Sequence, residues 1–159
     1  MDALTDTISL DGIDSNFAED IAKQRGGEKI SACFICRTCV ASCPISSVNT
    51  EFQPLRIIRM ALYGLKEEVL RNDFIWLCSS CYACQERCPQ GVYITDFMTL
   101  LKNMAVEEGH IPAGIKAQRD LVRGKGRIYP IDEFDNKKRK KAGLPPLPTS
   151  CEVVKDLLP

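Results

Sequence analysis

Cysteine is the residue type that could do chemistry in this chain. Eight of its nine cysteines lie in two runs, Cys33 to Pro44 (CFICRTCVASCP) and Cys78 to Pro89 (CSSCYACQERCP), so the pattern C-x2-C-x2-C-x3-C-P recurs after 45 residues. Two successive gaps of two residues, then a displaced cysteine and a proline, make the bacterial-type ligand run of cubane iron–sulfur clusters. The chemistry that follows is electron transfer.

A [4Fe-4S] cube presents four iron corners in a tetrahedral array, so its four thiolates must approach from different directions. Three sulfurs spaced by two residues can wrap one side of a cube, but the chain cannot easily come round for the fourth. In two-cluster runs of this type the fourth cysteine ligates the other cluster. The expected ligand sets are therefore Cys33, Cys36, Cys39 and Cys88 for a first cluster, and Cys78, Cys81, Cys84 and Cys43 for a second. Pro44 and Pro89 suit this exchange, because a proline pushes the residue before it out of helical geometry. Cross-ligation also makes the two clusters close neighbours, as electron hopping requires. Each oxidised cluster with its thiolates carries about −2, so a chain of zero formal charge becomes acidic around its clusters.

Two other uses of clustered cysteine fit less well. Zinc sites usually pair two separated C-x2-C halves, without the consecutive gaps, the x3 spacing and the proline found here. Disulfides suit oxidising compartments, whereas nothing at the amino terminus resembles a secretory signal and no run approaches 18 apolar residues. The expectation is a cytoplasmic chain with no membrane span of its own. The balanced charge, 21 basic and 21 acidic residues, and the lack of a basic-aromatic surface pattern argue against nucleic-acid binding.

Residues beside the runs are expected to tune the clusters. Phe34, Ile35, Val40, Ile45, Tyr82 and Val92 can exclude water, while Arg37, Arg87, Ser79 and Ser80 can donate to sulfur or add positive field. Outside the runs, Cys151 reads as a buried or interfacial thiol, His110 as a surface cap, and Trp76 as a shield for a cluster. Lys137 to Lys141 reads most simply as a solvated basic face, with docking to an acidic partner next. No dinucleotide fingerprint and no Ser-His or Cys-His constellation is present, so no substrate chemistry is expected on this chain.

The elements that must position the cysteines are helices. Ser15 can cap a short helix carrying Phe17, Ile21 and Ala22, ended by Gly26-Gly27. Gln53-Pro54 opens a second, with Leu55, Ile57, Ile58 and Leu62 at helical spacing and Gly64 as its stop, followed by a short helix to Asp73. Thr95 can cap a third, with Phe97, Leu100, Leu101 and Met104 on one face and Gly109 as its end. Pro112 starts a fourth that ends near Gly124. The segment between the runs is thus helical where a small ferredoxin would have strands, and each run with its following helix looks like one of two duplicated units.

Beyond Gly124, glycine, proline and charge read as an extended tail with one short helix around Phe134 to Lys141 and a last amphipathic turn, CEVVKDLL. The expected organisation is an acidic arm and short helix over 1–27, an all-α cluster-binding domain over 28–124, and a docking tail over 125–159.

These residues resemble the C subunit of heterodisulfide reductase. The resemblance runs from about Ile13 to Leu158 and rests on the GIDSNF entry, both cysteine runs, the stretch WLCSSCYACQERCPQGVYITDF and the tail NKKRKKAGLPPLP. The double run alone is shared more widely, with iron–sulfur subunits of glycolate, glycerol-3-phosphate and succinate dehydrogenases. The helical spacer, the small size and the tail favour the heterodisulfide reductase family.

The resemblance implies an α-helical ferredoxin fold with two [4Fe-4S] clusters. It also implies electron relay between two partners of the same complex: a flavin and iron–sulfur protein, the A subunit, and a protein whose cysteine-rich CCG modules reduce a disulfide, the B subunit. Hydrogenase or formate dehydrogenase would connect through the flavoprotein. This chain has no adjacent cysteine pair and hence no CCG module, which agrees with a disulfide-reducing partner on a separate chain. The alternatives are an iron–sulfur subunit of a membrane-linked dehydrogenase and a free two-cluster ferredoxin.

Overall fold

The computed structural model describes residues 12–151. Among them there are helices and no strands, as expected. The acidic start up to residue 11 and most of the terminal CEVVKDLL turn lie outside the described residues. The chain divides after His110 into two compact units.

The first unit holds both cysteine runs. Its helix α1, Phe17–Ala22, buries Phe17 and Ile21. The entry is held by Asp14 rather than Ser15: its carboxylate accepts from the Asn16 N–H at 3.0 Å and its carbonyl from that of Phe17 at 3.1 Å. A 3-10 turn, Ile30–Ala32, leads into the first run, which contains α2, Thr38–Ala41, and runs on into α3, Pro44–Val48. Helix α4, Pro54–Leu62, starts on the expected proline and buries Leu55, Ile57, Ile58 and Ala61. Helices α5, Lys66–Leu70, and α6, Phe74–Leu77, follow. The second run contains α7, Ala83–Glu86, and leads to α8, Ile94–Glu107.

Helix α8 is the long strut of this unit. It buries Ile94, Phe97, Met98, Leu100, Leu101 and Ala105 and packs on α5, α6 and α7. It begins one residue before the expected cap. Thr95 lies inside the helix, and the side chain of Gln85, from α7, takes the capping role: its Oε1 accepts from the Thr95 and Asp96 N–H groups at 3.0 and 3.3 Å. A tertiary cap thus replaces the local one and leaves the threonine hydroxyl free to face inward. At the other end Gly109, at φ +82°, and a bond from the His110 N–H to the Ala105 carbonyl close the helix.

Gly64 shows how tightly the turn between α4 and α5 is drawn. Its carbonyl accepts from the Asp14 N–H at 2.8 Å, its φ is +76°, and an added Cβ would stand 2.4 Å from the Asp14 carbonyl oxygen. Gly64→Ala is expected to cost about 1–3 kcal/mol, from left-handed backbone and overpacking together. Gly109→Ala, where φ is also positive but the space is open, is the control. Thermal unfolding should show the Gly64 variant well below it.

The second unit is built from α9, Ala113–Lys125, and α10, Glu133–Lys141. Gly124 does not stop α9; Gly126, left-handed at φ +68°, does. Helix α10 has a capping box between Asp132 and Asp135. The Asn136 amide donates to the Leu147 carbonyl at 2.9 Å and accepts its N–H at 2.8 Å, which folds the segment after α10 back along the helix. Neither helix buries a residue, and Ile128, Tyr129 and Phe134 are all exposed.

Candidate metal centre

The two cysteine runs adopt the same unusual backbone. In the first, Ile35 and Arg37 have φ of +66° and +65°; in the second, Ser80 and Tyr82 have +54° and +63°. These are the corresponding positions on either side of each run's second cysteine. Left-handed backbone costs a non-glycine residue about 1–2 kcal/mol, and for a β-branched isoleucine it is an outlier. Strain repeated at matched positions marks a site. Left-handed Arg37 and Tyr82 each precede the right-handed start of a short helix, an order that turns successive N–H groups into one concavity, as anion-binding nests do.

The fourth cysteine of the first run leaves its loop as the proline requires. Cys43 is extended, at φ −84° and ψ 120°, and Pro44 begins α3. Helices α2 and α7 pack on one another, so each run lies against its twin.

Two cavities open between the runs. One, with about 310 Å3 of empty space, is lined by Cys33, Cys36 and Cys39 of the first run and by Cys88 of the second. The other, about 330 Å3, is lined by Cys78, Cys81 and Cys84 of the second run and by Cys43 of the first. Three cysteines of one run and the last of the other thus border each space. None of the nine cysteines is in a disulfide. Four cysteines line each space, and soft thiolates are the ligands that iron–sulfur clusters use.

Depth within each run also repeats. The third cysteines, Cys39 and Cys84, are buried and belong to the hydrophobic core, the second, Cys36 and Cys81, are exposed, and the rest lie between. Burial pushes the Cys39 thiol up to about 12, with the Cys84 and Cys33 sulfurs beside it adding to the effect. Burial also raises Cys84, against the opposing hydroxyl of Thr95. The hydroxyl and backbone of Thr38 hold Cys36 below the usual thiol value. Iron binding must displace the protons from the deep thiols, so cluster assembly is coupled to proton release.

Of the residues expected to tune the clusters, Phe34, Arg37 and Val92 line the first cavity and Ile45 and Ser79 the second. Ile35, Val40, Ser80, Tyr82 and Arg87 line neither. Tyr82 instead donates through its hydroxyl to Asp96 at 3.1 Å, helping to seat α8. Trp76 is half-buried against the core and borders neither cavity.

Comparison with known proteins agrees with this geometry. Residues 29–92 match the family model of the 4Fe-4S dicluster domain. The C subunit of the H(2):CoB-CoM heterodisulfide,ferredoxin reductase of Methanothermobacter thermautotrophicus is 40% identical over 151 residues, covering 95% of this chain and 80% of that protein. The chain belongs to the heterodisulfide reductase C-subunit family. The C subunit of the ferredoxin:CoB-CoM heterodisulfide reductase of Methanosarcina mazei is 37% identical over 143 residues, 89% of this chain and 88% of that one. The iron–sulfur C subunit of the CoB–CoM heterodisulfide reductase of Methanopyrus kandleri is 31% identical over 144 residues, 91% and 74% of the two chains. As a member of this family the chain is an iron–sulfur electron-transfer protein and a subunit of an oxidoreductase. No helix among its described residues is long and apolar enough to cross a membrane.

Residues that spacing did not single out complete the site. Ile94 borders both cavities. Thr95 borders the second, its hydroxyl 3.7 Å from Cys84 Sγ. Thr38 lies against Cys36, whose thiol donates to the hydroxyl at 3.3 Å; at Val92, one of the expected tuning residues, the backbone N–H donates to Cys88 Sγ at 3.4 Å. The available signal was the helical register, which puts Ile94 and Thr95 on the face that carries Met98 and Leu101.

Proposed function

We propose that the chain carries two [4Fe-4S] clusters, one on Cys33, Cys36, Cys39 and Cys88 and one on Cys78, Cys81, Cys84 and Cys43. Through them it relays electrons in the cytoplasm between a flavoprotein like the A subunit of heterodisulfide reductase and a disulfide-reducing CCG-module protein like its B subunit. The single observation that carries this reading is the cross-run lining of the two cavities, each bordered by three cysteines of one run and the fourth of the other. The relatives' names supply the disulfide: they are C subunits of CoB-CoM heterodisulfide reductases.

When bound, the clusters accept and release single electrons. The chain's own residues hold them side by side, keep water from their deep faces through Leu55, Phe52, Met98 and Ile94, and leave the exposed Cys36 and Cys81 edges for electrons to enter and leave. Neither cavity contains a histidine or carboxylate to act as acid or base, which suits relay without substrate chemistry. The basic helix α10 and the apolar side chains exposed around it would dock the partner subunits.

Anaerobic purification from the native organism tests this. Recovery with a flavoprotein and a CCG-module protein, with iron and sulfide sufficient for two clusters, is the expected result. Recovery from the native organism of the fully metallated chain with neither partner would refute the relay.

A further inference from the structure

Among the described residues, Thr95 is the buried polar side chain of the core, 1% exposed among aliphatic and aromatic neighbours. A threonine inside a helix usually bonds its hydroxyl to a carbonyl one turn back, or leaves it in water. Here the hydroxyl is out of water, and its one partner is a sulfur, Cys84 Sγ at 3.7 Å. Two constraints fix it there. The Thr95 N–H is held by Gln85, one residue from Cys84, and the Thr95 carbonyl is taken by the Thr99 hydroxyl at 3.1 Å. The first cluster's cysteines have no side-chain counterpart at depth: Thr38 touches Cys36, a cysteine at the solvent edge where water offers the same hydrogen bond, and the donor to Cys88 is the backbone N–H of Val92.

We propose that Thr95 is a positioning residue that raises the reduction potential of the second cluster, by donating its hydroxyl to the thiolate of Cys84. The inference rests on the two-cluster reading above. Bound to iron, Cys84 is a thiolate with no proton, so the hydroxyl becomes the donor. Reduction by a one-electron donor adds one negative charge to the cluster and its sulfurs, with no bond or proton change. A donor aimed at one of those sulfurs stabilises the more negative state. Burial makes the bond matter, since no water replaces it when it is removed.

EPR-monitored redox titration of the anaerobically purified, fully loaded chain tests this. Thr95→Val keeps the shape and removes the hydroxyl, and Thr95→Ala removes it while asking for less space. Both should shift the midpoint potential of the second cluster to more negative values, by up to about tenfold in its reduction equilibrium, or 59 mV for one electron. The first cluster should stay at its wild-type potential, and Thr95→Ser should bring the second back towards wild type.

The proposal is overturned if neither hydroxyl-free variant shifts the second cluster, or if both clusters shift equally. It is overturned as well if both hydroxyl-free variants lose the cluster while the serine variant keeps it, because the hydroxyl would then hold the cluster rather than tune it. Iron and sulfide analysis of the wild type separates these outcomes from failure of the two-cluster reading, which would show as contents that do not fit two cubes.

Discussion

Purified without air, Cys43→Ser should lose the cluster bordered by Cys78, Cys81 and Cys84 and keep the one bordered by its own run. Serine is close in size, but its hydroxyl is a poor ligand for iron in a cubane, so the change removes one ligand with little disturbance of packing. The expected loss is about half of the iron and sulfide, because each cube takes its ligands as a set of four. Cys88→Ser should do the reverse.

Pairwise combinations show which cluster has gone without assigning spectra. Adding Cys81→Ser to Cys43→Ser should cost almost no further iron, since both residues border one cavity, whereas adding Cys36→Ser should remove the rest. Such non-additivity identifies residues that act in one unit. If Cys43→Ser and Cys36→Ser prove redundant instead, each run ligates its own cube and the exchange is wrong.

Much of this was legible in the chain. The C-x2-C-x2-C-x3-C-P pattern puts three cysteines in seven residues, which must share one loop, and the three of each run do line one cavity together. Helices α4 and α8 were legible for a similar reason. Each is long enough for a 3.6-residue apolar repeat to stand out, and each starts or ends on a proline or glycine of defined conformation. Helices α2, α6 and α7, of four residues each, are too short to show periodicity, and they exist only because the cluster loops and the core hold them.

The errors have physical causes. Thr95 reads as a cap because threonine at the start of an apolar-periodic segment usually is one, but a glutamine from another helix reaches the same N–H groups. That contact depends on the packing of α7 against α8 and leaves no trace in spacing. Gly124 reads as a helix stop, yet a glycine ends a helix only where the backbone turns left-handed, and that happens at Gly126. Trp76 and Tyr82 lie close to cysteines in sequence, but adjacency does not set direction. The second run turns left-handed at Ser80 and Tyr82, and the tyrosine hydroxyl reaches Asp96 on α8 instead of the cavity.

Ile94 carries the second large expectation. It is 2% exposed and borders both cavities, so it is one wall of each. Ile94→Ala should destabilise the first unit by about 2–5 kcal/mol, the usual cost of removing a buried isoleucine without full collapse of the space. Leu100, on the same helix and buried, borders neither cavity, so Leu100→Ala should cost a similar amount of stability by thermal unfolding. The two variants part at the metal. Shortening Ile94 opens a face of both clusters to water, and solvent exposure is one of the terms that set a cluster's potential. Both potentials should therefore move together in Ile94→Ala and stay in place in Leu100→Ala, while Ile94→Val, which keeps the branched wall, should cost only about 0.5–1.5 kcal/mol and leave both nearly unchanged. A shift confined to one cluster would mean that Ile94 belongs to a single site. A joint shift would place one aliphatic side chain as the common boundary of two redox centres.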